Sequence, residues 1–391
     1  MLAPPRRLAH VAPWIAALSL LFAILADAAH AGGGARTIEI PFTTHDDYEM
    51  FGKLTLPESG EPHAVVIYVQ TAEGMTVDMK RPDGRGGTFN YFDLYAKKLP
   101  EMNVAFFRYE GRGIRLGDAP PRYEQIERDV YDTSTLENKV LDILSAVQVV
   151  REQADIDTSR IFLMGASEGT LLAAQAAAKE PKQIAGLILY GVMTSNMRDT
   201  FRYILTEGAH ISYCGRFDAN HDGVISKAEY EADPGKYRTN LFKGLGFEVF
   251  DVDGDGSWTV ADTAARAKPM LDAIDQENYQ ILDAWARTSA AVSTPRDWFK
   301  NHFAQQPIWT SLSQLDVPVG LFQGALDTSV PIAGVRNLEQ QAKKAGKTKM
   351  EFHYFENLEH TLGIGSYFVT GKLPDGHKAI FEFIERQTRK P

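Results

Sequence analysis

The stretch Ile161-Phe162-Leu163-Met164-Gly165-Ala166-Ser167-Glu168-Gly169 decides the fold. Four consecutive apolar residues fit a strand buried on both faces, and the alanine-rich run Leu171 to Lys179 fits a helix. Between them, G-x-S-x-G marks a sharp strand-to-helix turn. Glycines two before and two after the serine make room for a strained backbone, and the hydroxyl stands exposed above the sheet. Ser167 is therefore the candidate nucleophile. The helix start adds the free N–H of Glu168 and a favourable dipole for a developing oxyanion. The motif alone is common; its place between a buried strand and a helix separates it from a plain glycine-rich turn.

Outward from this turn the same rhythm repeats. Ala64 to Val69, Val104 to Phe107, Ile184 to Leu189 and Val317 to Phe322 are further buried-strand runs. Thr37 to Ile40 alternates as a half-buried strand, and Phe352, Tyr354 and Phe355 suggest a last one. Ser134 and Glu137 have capping-box spacing ahead of a helix over Val140 to Val150, and Ile332 to Lys344 and Lys378 to Arg389 read as later helices. This alternation predicts an α/β fold with a mostly parallel sheet and helices on both faces. From about Ser195 to Trp309 the buried-strand pattern stops. The expected organisation is a catalytic unit over 37–194 and 310–390, with 195–309 inserted between two strands.

A serine nucleophile in such a sheet is followed in the chain by its acid and then its histidine. His353 falls inside a strand pattern and His377 opens the last helix, which leaves His360, in the loop Asn357 to Leu362, as the base. Asp327 follows the strand Val317 to Phe322, where a carboxylate can hold the imidazole in the right tautomer. Asp316 precedes that strand, at the wrong end of the sheet. The second oxyanion donor is expected from the loop after Ala64 to Val69, as the backbone N–H of Ala72 or Thr71.

With these residues in place, the chain resembles the α/β-hydrolase superfamily. It is particularly similar to exported bacterial hydrolases related to dienelactone hydrolases and acyl-peptide-processing enzymes. The resemblance rests on Phe107 to Gly113, Ile156 to Gly169, Gly324 to Pro331 and His360. Phe107 to Gly113 resembles the relatives' R-Y-D-x-R-G loop, with Glu110 where Asp is common. Where many relatives carry His-Gly in the oxyanion loop, this chain has Gln70-Thr71. The resemblance implies the superfamily but no substrate, and it places a lid in the segment after the strand beyond the nucleophile.

That segment carries a second signal. Asp218, Asn220, Asp222, Val224, Ser226 and Glu229 occupy the ligand positions of a 12-residue EF-hand loop (218–229), with Gly223 at the turn position. A second loop (251–262) repeats the layout with Asp251, Asp253, Asp255, Ser257, Thr259 and Asp262, and its Trp258 matches Ile225. A single acidic loop could be a solvated accident; two aligned copies are not. Two Ca2+ sites are expected, the second weaker and more tolerant of Mg2+ because Asp262 is shorter than the usual Glu. Calcium would then either staple the lid or gate access to Ser167. No organic cofactor is expected.

The 391 residues are 44% hydrophobic and 24% charged, an ordinary globular composition, and the net charge of −10 argues against nucleic acid or anionic membrane as partner. Arg6 and Arg7, the short apolar run Trp14 to Leu25 and Ala29-His30-Ala31 have the layout of a secretory signal peptide (1–31). The run falls short of the about 20 residues of a membrane span, so no anchor is expected after cleavage. The expected location is periplasmic or extracellular. Cys214 is the single cysteine, which rules out an internal disulfide. The leading function is a serine esterase acting on a small ester or acyl substrate. A peptidase or acyltransferase with the same triad, and a non-catalytic calcium-dependent binding protein, are the alternatives. Trp298, Phe299 and Trp309 are expected in aromatic packing rather than an acyl pocket.

Overall fold

The computed structural model describes residues 35–58, 60, 62–71, 74–83, 86–288 and 294–389. The expected signal peptide and the candidate donor Ala72 lie outside these residues. Eight strands form the main sheet: β1 (Arg36–Thr43), β2 (Glu49–Leu56), β3 (His63–Tyr68), β4 (Val104–Tyr109), β5 (Ile156–Ala166), β6 (Gly186–Tyr190), β7 (Val319–Gly324) and β8 (Met350–Phe355). Their spatial order is β1-β2-β4-β3-β5-β6-β7-β8. Pairings from β4 onward are parallel, and only β2 runs against its neighbours. β2 carries no buried-strand run in the sequence, because Gly52, Lys53 and Thr55 interrupt its apolar residues.

Alternation along the buried strands divides the core in two. Val65, Ile67, Leu163, Leu187, Leu189 and Leu321 face one cluster. Ala64, Val66, Phe162, Met164, Ile188 and Phe322 face the other.

The helices used below are α1 (Leu136–Arg151), α2 (Glu168–Lys179), α3 (Met197–Tyr203), α4 (Ala209–Phe217), α5 (Val260–Asp275), α6 (Trp298–Phe303), α7 (Ile332–Lys344) and α8 (Asp375–Thr388). Helix α1 begins one residue later than the Ser134 spacing suggests. Its N-cap is Thr135, whose side chain accepts the Asn138 N–H, so the Ser134–Glu137 capping box does not form.

Between β6 and β7, neighbours in the sheet, the chain makes a long helical excursion. Trp298, Phe299 and Phe303 at its far end are buried in the first core cluster, with Trp309 packed against it. The middle of the excursion has a small core of its own: Phe217, Ile225, Tyr230, Phe247, Phe250 and Trp258. Ile225 pairs directly with Trp258, and Ser226 with Ser257, in a two-strand antiparallel ribbon joining the two acidic loops. Among the described residues no helix is long and apolar enough to cross a membrane.

Candidate active site

Strands β5 to β8 run parallel, so their C-terminal ends share one edge of the sheet, where side chains from four successive loops can converge. Ser167 follows β5 with φ 53° and ψ −126°, a left-handed conformation that a β-carbon-bearing residue adopts only when its surroundings enforce it. The enforcement is visible. A Cβ on Gly165 would run into the Gly169 carbonyl, and one on Gly169 would press on the carbonyls of Gln70 and Val69. The Ser167 N–H donates to the Tyr190 carbonyl at the end of β6 (3.1 Å), and the Ser167 carbonyl accepts from the Thr170 hydroxyl (2.6 Å).

Asp327 and His360 are joined: His360 Nδ1 donates to Asp327 Oδ2 at 2.8 Å. Asp327 is 1% exposed, and its other oxygen accepts the N–H groups of Ser329 (2.8 Å) and Val330 (2.9 Å). Burial pushes its carboxyl up, but the His360 hydrogen bond and charge, with those N–H groups, outweigh burial and hold it below the usual carboxylate range. His360 is half-buried at the site's edge. Ser167 Oγ and His360 Nε2 are not hydrogen-bonded to each other; such contacts often tighten only when substrate binds. The link between them is the chain at Tyr190-Gly191. Tyr190 holds the Ser167 amide, and Gly191 (φ 55°) abuts the imidazole so closely that a Cβ would lie 2.8 Å from His360 Cε1.

The rejected candidates are placed elsewhere. Asp316 is exposed and paired with Lys349 at the other end of β7. His353 stacks on Phe322 within the sheet. Buried His377, pushed down to about 4 mainly by burial, is neutral and bonds Tyr95 and the Leu362 carbonyl.

Several site residues carry no sequence signal because their partners are distant in the chain. Buried Gln323 donates to Asp327 Oδ2 (2.8 Å) and accepts the Val192 N–H (2.8 Å), which fixes the acid against the β6 loop. Glu168, next to the nucleophile, is fully buried between two basic residues: Lys139 of α1 (3.3 Å) and His302 of α6 (2.5 Å). Burial pushes the Glu168 carboxyl up, yet Lys139 and His302 hold it down at about 2. His302 Nδ1 also donates to the Trp298 carbonyl (2.7 Å), which fixes the ring between α6 and Glu168. Lys139 reaches on to the Thr71 carbonyl (3.2 Å), tying the elbow to the loop expected to supply the second oxyanion donor. In that loop Gln70 bonds the Tyr109 carbonyl and the Met75 N–H and so holds the turn.

The paired acidic loops form a second constellation. In the first, Asp218 accepts the N–H groups of His221 (2.7 Å) and Gly223 (2.9 Å), and Glu229 accepts those of Ala219 (3.0 Å) and Ser226 (2.9 Å). In the second, Asp262 accepts the N–H groups of Val252 (2.8 Å) and Thr259 (2.9 Å). The sixth positions, Gly223 (φ 83°) and Gly256 (φ 91°), both take the left-handed turn. Carboxylate oxygens of Asp251, Asp253 and Asp255 lie within 4.8 Å of one another. Asp251 Oδ1 is buried without a hydrogen-bond partner. Converging carboxylates around an orphaned buried oxygen are a donor set that suits a hard divalent cation.

No protein-family model matches the chain, and the comparison with curated proteins finds no match. Solved structures do resemble it. An α/β hydrolase, GrgF, from Penicillium sp. sh18 superposes with a TM-score of 0.50 at 15% identity, over 90% of this chain and 99% of that one. The acylaminoacyl peptidase of Pyrococcus horikoshii gives 0.49 at 14% identity, over 92% of this chain and 43% of that chain. The Pyrococcus furiosus esterase PF2001 gives 0.48 at 13% identity, over 90% and 92%. At such identities the likeness concerns the backbone alone. With the strand order and the elbow, it establishes that this chain has the α/β-hydrolase fold.

Proposed function

We propose that the chain is an exported serine hydrolase that cleaves carboxylic esters of small molecules through an acyl-enzyme on Ser167. The observation that carries this reading is the Asp327–His360 hydrogen bond beside a nucleophile elbow, all at one end of the parallel sheet. In the proposed reaction Ser167 Oγ attacks the ester carbonyl carbon while His360 Nε2 takes its proton. Asp327 keeps the proton of His360 on Nδ1 and stabilises the imidazolium. The oxyanion is held by the Glu168 N–H, with Thr71 or Ala72 as second donor. Collapse expels the alcohol with the proton from His360, and water then releases the acid by the same steps.

In this reading the excursion between β6 and β7 is a lid. Its two ends lie against the machinery: Tyr203 and Gly208 on the loop of Asp327, His302 on Glu168. The paired loops hold Ca2+, with Asp218, Asn220, Asp222, Val224, Ser226 and Glu229 around one ion. Asp251, Asp253, Asp255, Ser257, Thr259 and Asp262 surround the other. Calcium supplies folding energy to a segment whose own core is six side chains and which has no disulfide. Hydrolysis of short p-nitrophenyl esters against peptide anilides tests the reaction class. Turnover of the esters, lost in Ser167→Ala, is expected; turnover of the anilides alone would replace the esterase by a peptidase.

A further inference from the structure

From Met197 to Phe217 the chain is one unbroken helical rod: α3, a π-helical turn over Ile204–Gly208, then α4. Its two halves touch different chemistry. In the first half, the Tyr203 hydroxyl donates to the backbone carbonyl of the triad acid Asp327 (2.8 Å). Gly208, in the π turn, lies so close to the Thr328 carbonyl that no Cβ fits between them. Residues 327 and 328 are thus clasped from the lid side, while Gln323 and the Ser329 and Val330 N–H groups hold them from the sheet side.

The second half of the rod is the incoming helix of the first acidic loop; Phe217 ends α4 and Asp218 is the first position of the loop. Buried His210, two residues beyond Gly208, ties the rod to both loops. Its Nε2 donates to the Gly223 carbonyl of the first loop (2.9 Å), and its Nδ1 bonds the Thr263 hydroxyl (3.2 Å) of α5, the helix leaving the second loop. Trp258 of the second loop donates to the same hydroxyl (2.9 Å). From Gly208 to Asp218 the rod spans about 15 Å, a length that a helix crosses as a stiff element. Beside the π turn, Leu205, Ala209, Tyr213, Thr263 and Arg266 line an open groove between the rod and α5. The groove lies beside the packed contact of the π turn with α5, and π turns recur where helices serve function.

We propose that this rod couples cation occupancy of the paired loops to the catalytic acid, with Tyr203 and Gly208 as positioning residues for Asp327. The inference rests on the calcium reading of the loops. With the loops loaded, α4 and α5 are fixed by their ligands, His210 locks the rod between them, and Tyr203 holds the Asp327 turn where it orients His360. With the loops empty, the His210 link no longer fixes the rod between the loops and the Asp327 turn relaxes. A cation that binds only the ordered arrangement shifts the population toward it. What is lost is orientation of the imidazole, so kcat falls while substrate binding, which the turn does not touch, changes little.

The test uses the full mature chain with Ca2+ and EGTA, and Tb3+ as a binding probe whose luminescence Trp258 sensitises. Terbium emission is expected to saturate. EGTA, well below the melting temperature, is expected to lower kcat on a p-nitrophenyl ester about tenfold or more, with KM within about twofold, reversibly. In Tyr203→Phe, kcat in saturating Ca2+ should fall part of the way, and EGTA should then lower it by less than about twofold. Glu229→Gln, which cripples the first loop, should reproduce the EGTA effect without chelator. If terbium binds and Ca2+ raises the melting temperature while kcat ignores EGTA, the coupling is refuted and the calcium reading survives. If EGTA acts equally on wild type and Tyr203→Phe, the route through Tyr203 is refuted. If neither terbium nor Ca2+ binds, the calcium reading fails and the coupling with it.

Discussion

The C-terminal edge of the sheet and the paired loops of the excursion both gather acidic side chains, but they neutralise them differently. At the sheet edge each buried carboxylate has a cationic or hydrogen-bonding partner supplied by the fold: Asp327 has His360 and Gln323, and Glu168 has Lys139 and His302. In the loops the carboxylates are met by backbone N–H groups and hydroxyls, three of them converge, and Asp251 Oδ1 has no partner. The first region is satisfied from its own chain, as the proposed chemistry requires. The second has the pattern of a site completed from outside, since like charges this close are costly without a counter-ion.

The comparison breaks most visibly at Ser167. Replacing it with Ala is expected to lower kcat by about 10⁴-fold or more with the melting temperature unchanged, because in the proposed mechanism the side chain serves only the reaction. Gly191→Ala comes next. Its Cβ meets the imidazole and its φ is left-handed, so a fall of about 10²-fold in kcat/KM is expected, measurable on the same ester.

His302→Ala probes the self-sufficiency of the sheet edge. Leaving Glu168 without its closest partner should cost about 3 kcal/mol in urea unfolding, and Glu168→Gln in that background should recover part of it. A cost near zero would show that the buried pair is not structural. The same carboxylate sets a pH window. Its pKa is about 2 in the fold against 4.5 when free, so the unfolded chain binds its proton first as pH falls. Its contribution is complete above about pH 4.5 and is lost progressively toward pH 2, a slope that Glu168→Gln should flatten. In the loops, chelation should lower the melting temperature by several degrees, more through the first loop than the second. Glu229→Gln is therefore expected to weaken Ca2+ binding more than Asp262→Asn.

Much of this was legible in the chain because its determinants are local. The elbow is carried by nine consecutive residues, and Asp327 and His360 follow strands whose β-branched and aromatic runs announce them. The loops repeat a spacing of alternate oxygen ligands, and the match of Ile225 to Trp258 became a direct strand pairing. What stayed hidden depends on contacts between distant segments. Lys139, His302, Gly191 and Tyr203 are ordinary residues in their local sequence, and each acquires its role from a neighbour far along the chain. The role of Gln70 also became intelligible only in the fold, where its amide spans two backbone groups. Strand β2 has no apolar run for a different reason: Gly52, Lys53 and Thr55 interrupt its apolar residues.

The central claim is that Ser167 is an activated nucleophile served by His360 and Asp327. Incubation with a fluorophosphonate probe in the presence of Ca2+, followed by peptide mass mapping, tests it most directly. The account predicts stoichiometric labelling on Ser167, abolished in Ser167→Ala and strongly slowed in His360→Ala and Asp327→Asn. Absence of labelling on the folded wild-type protein, or labelling of another residue, would contradict it.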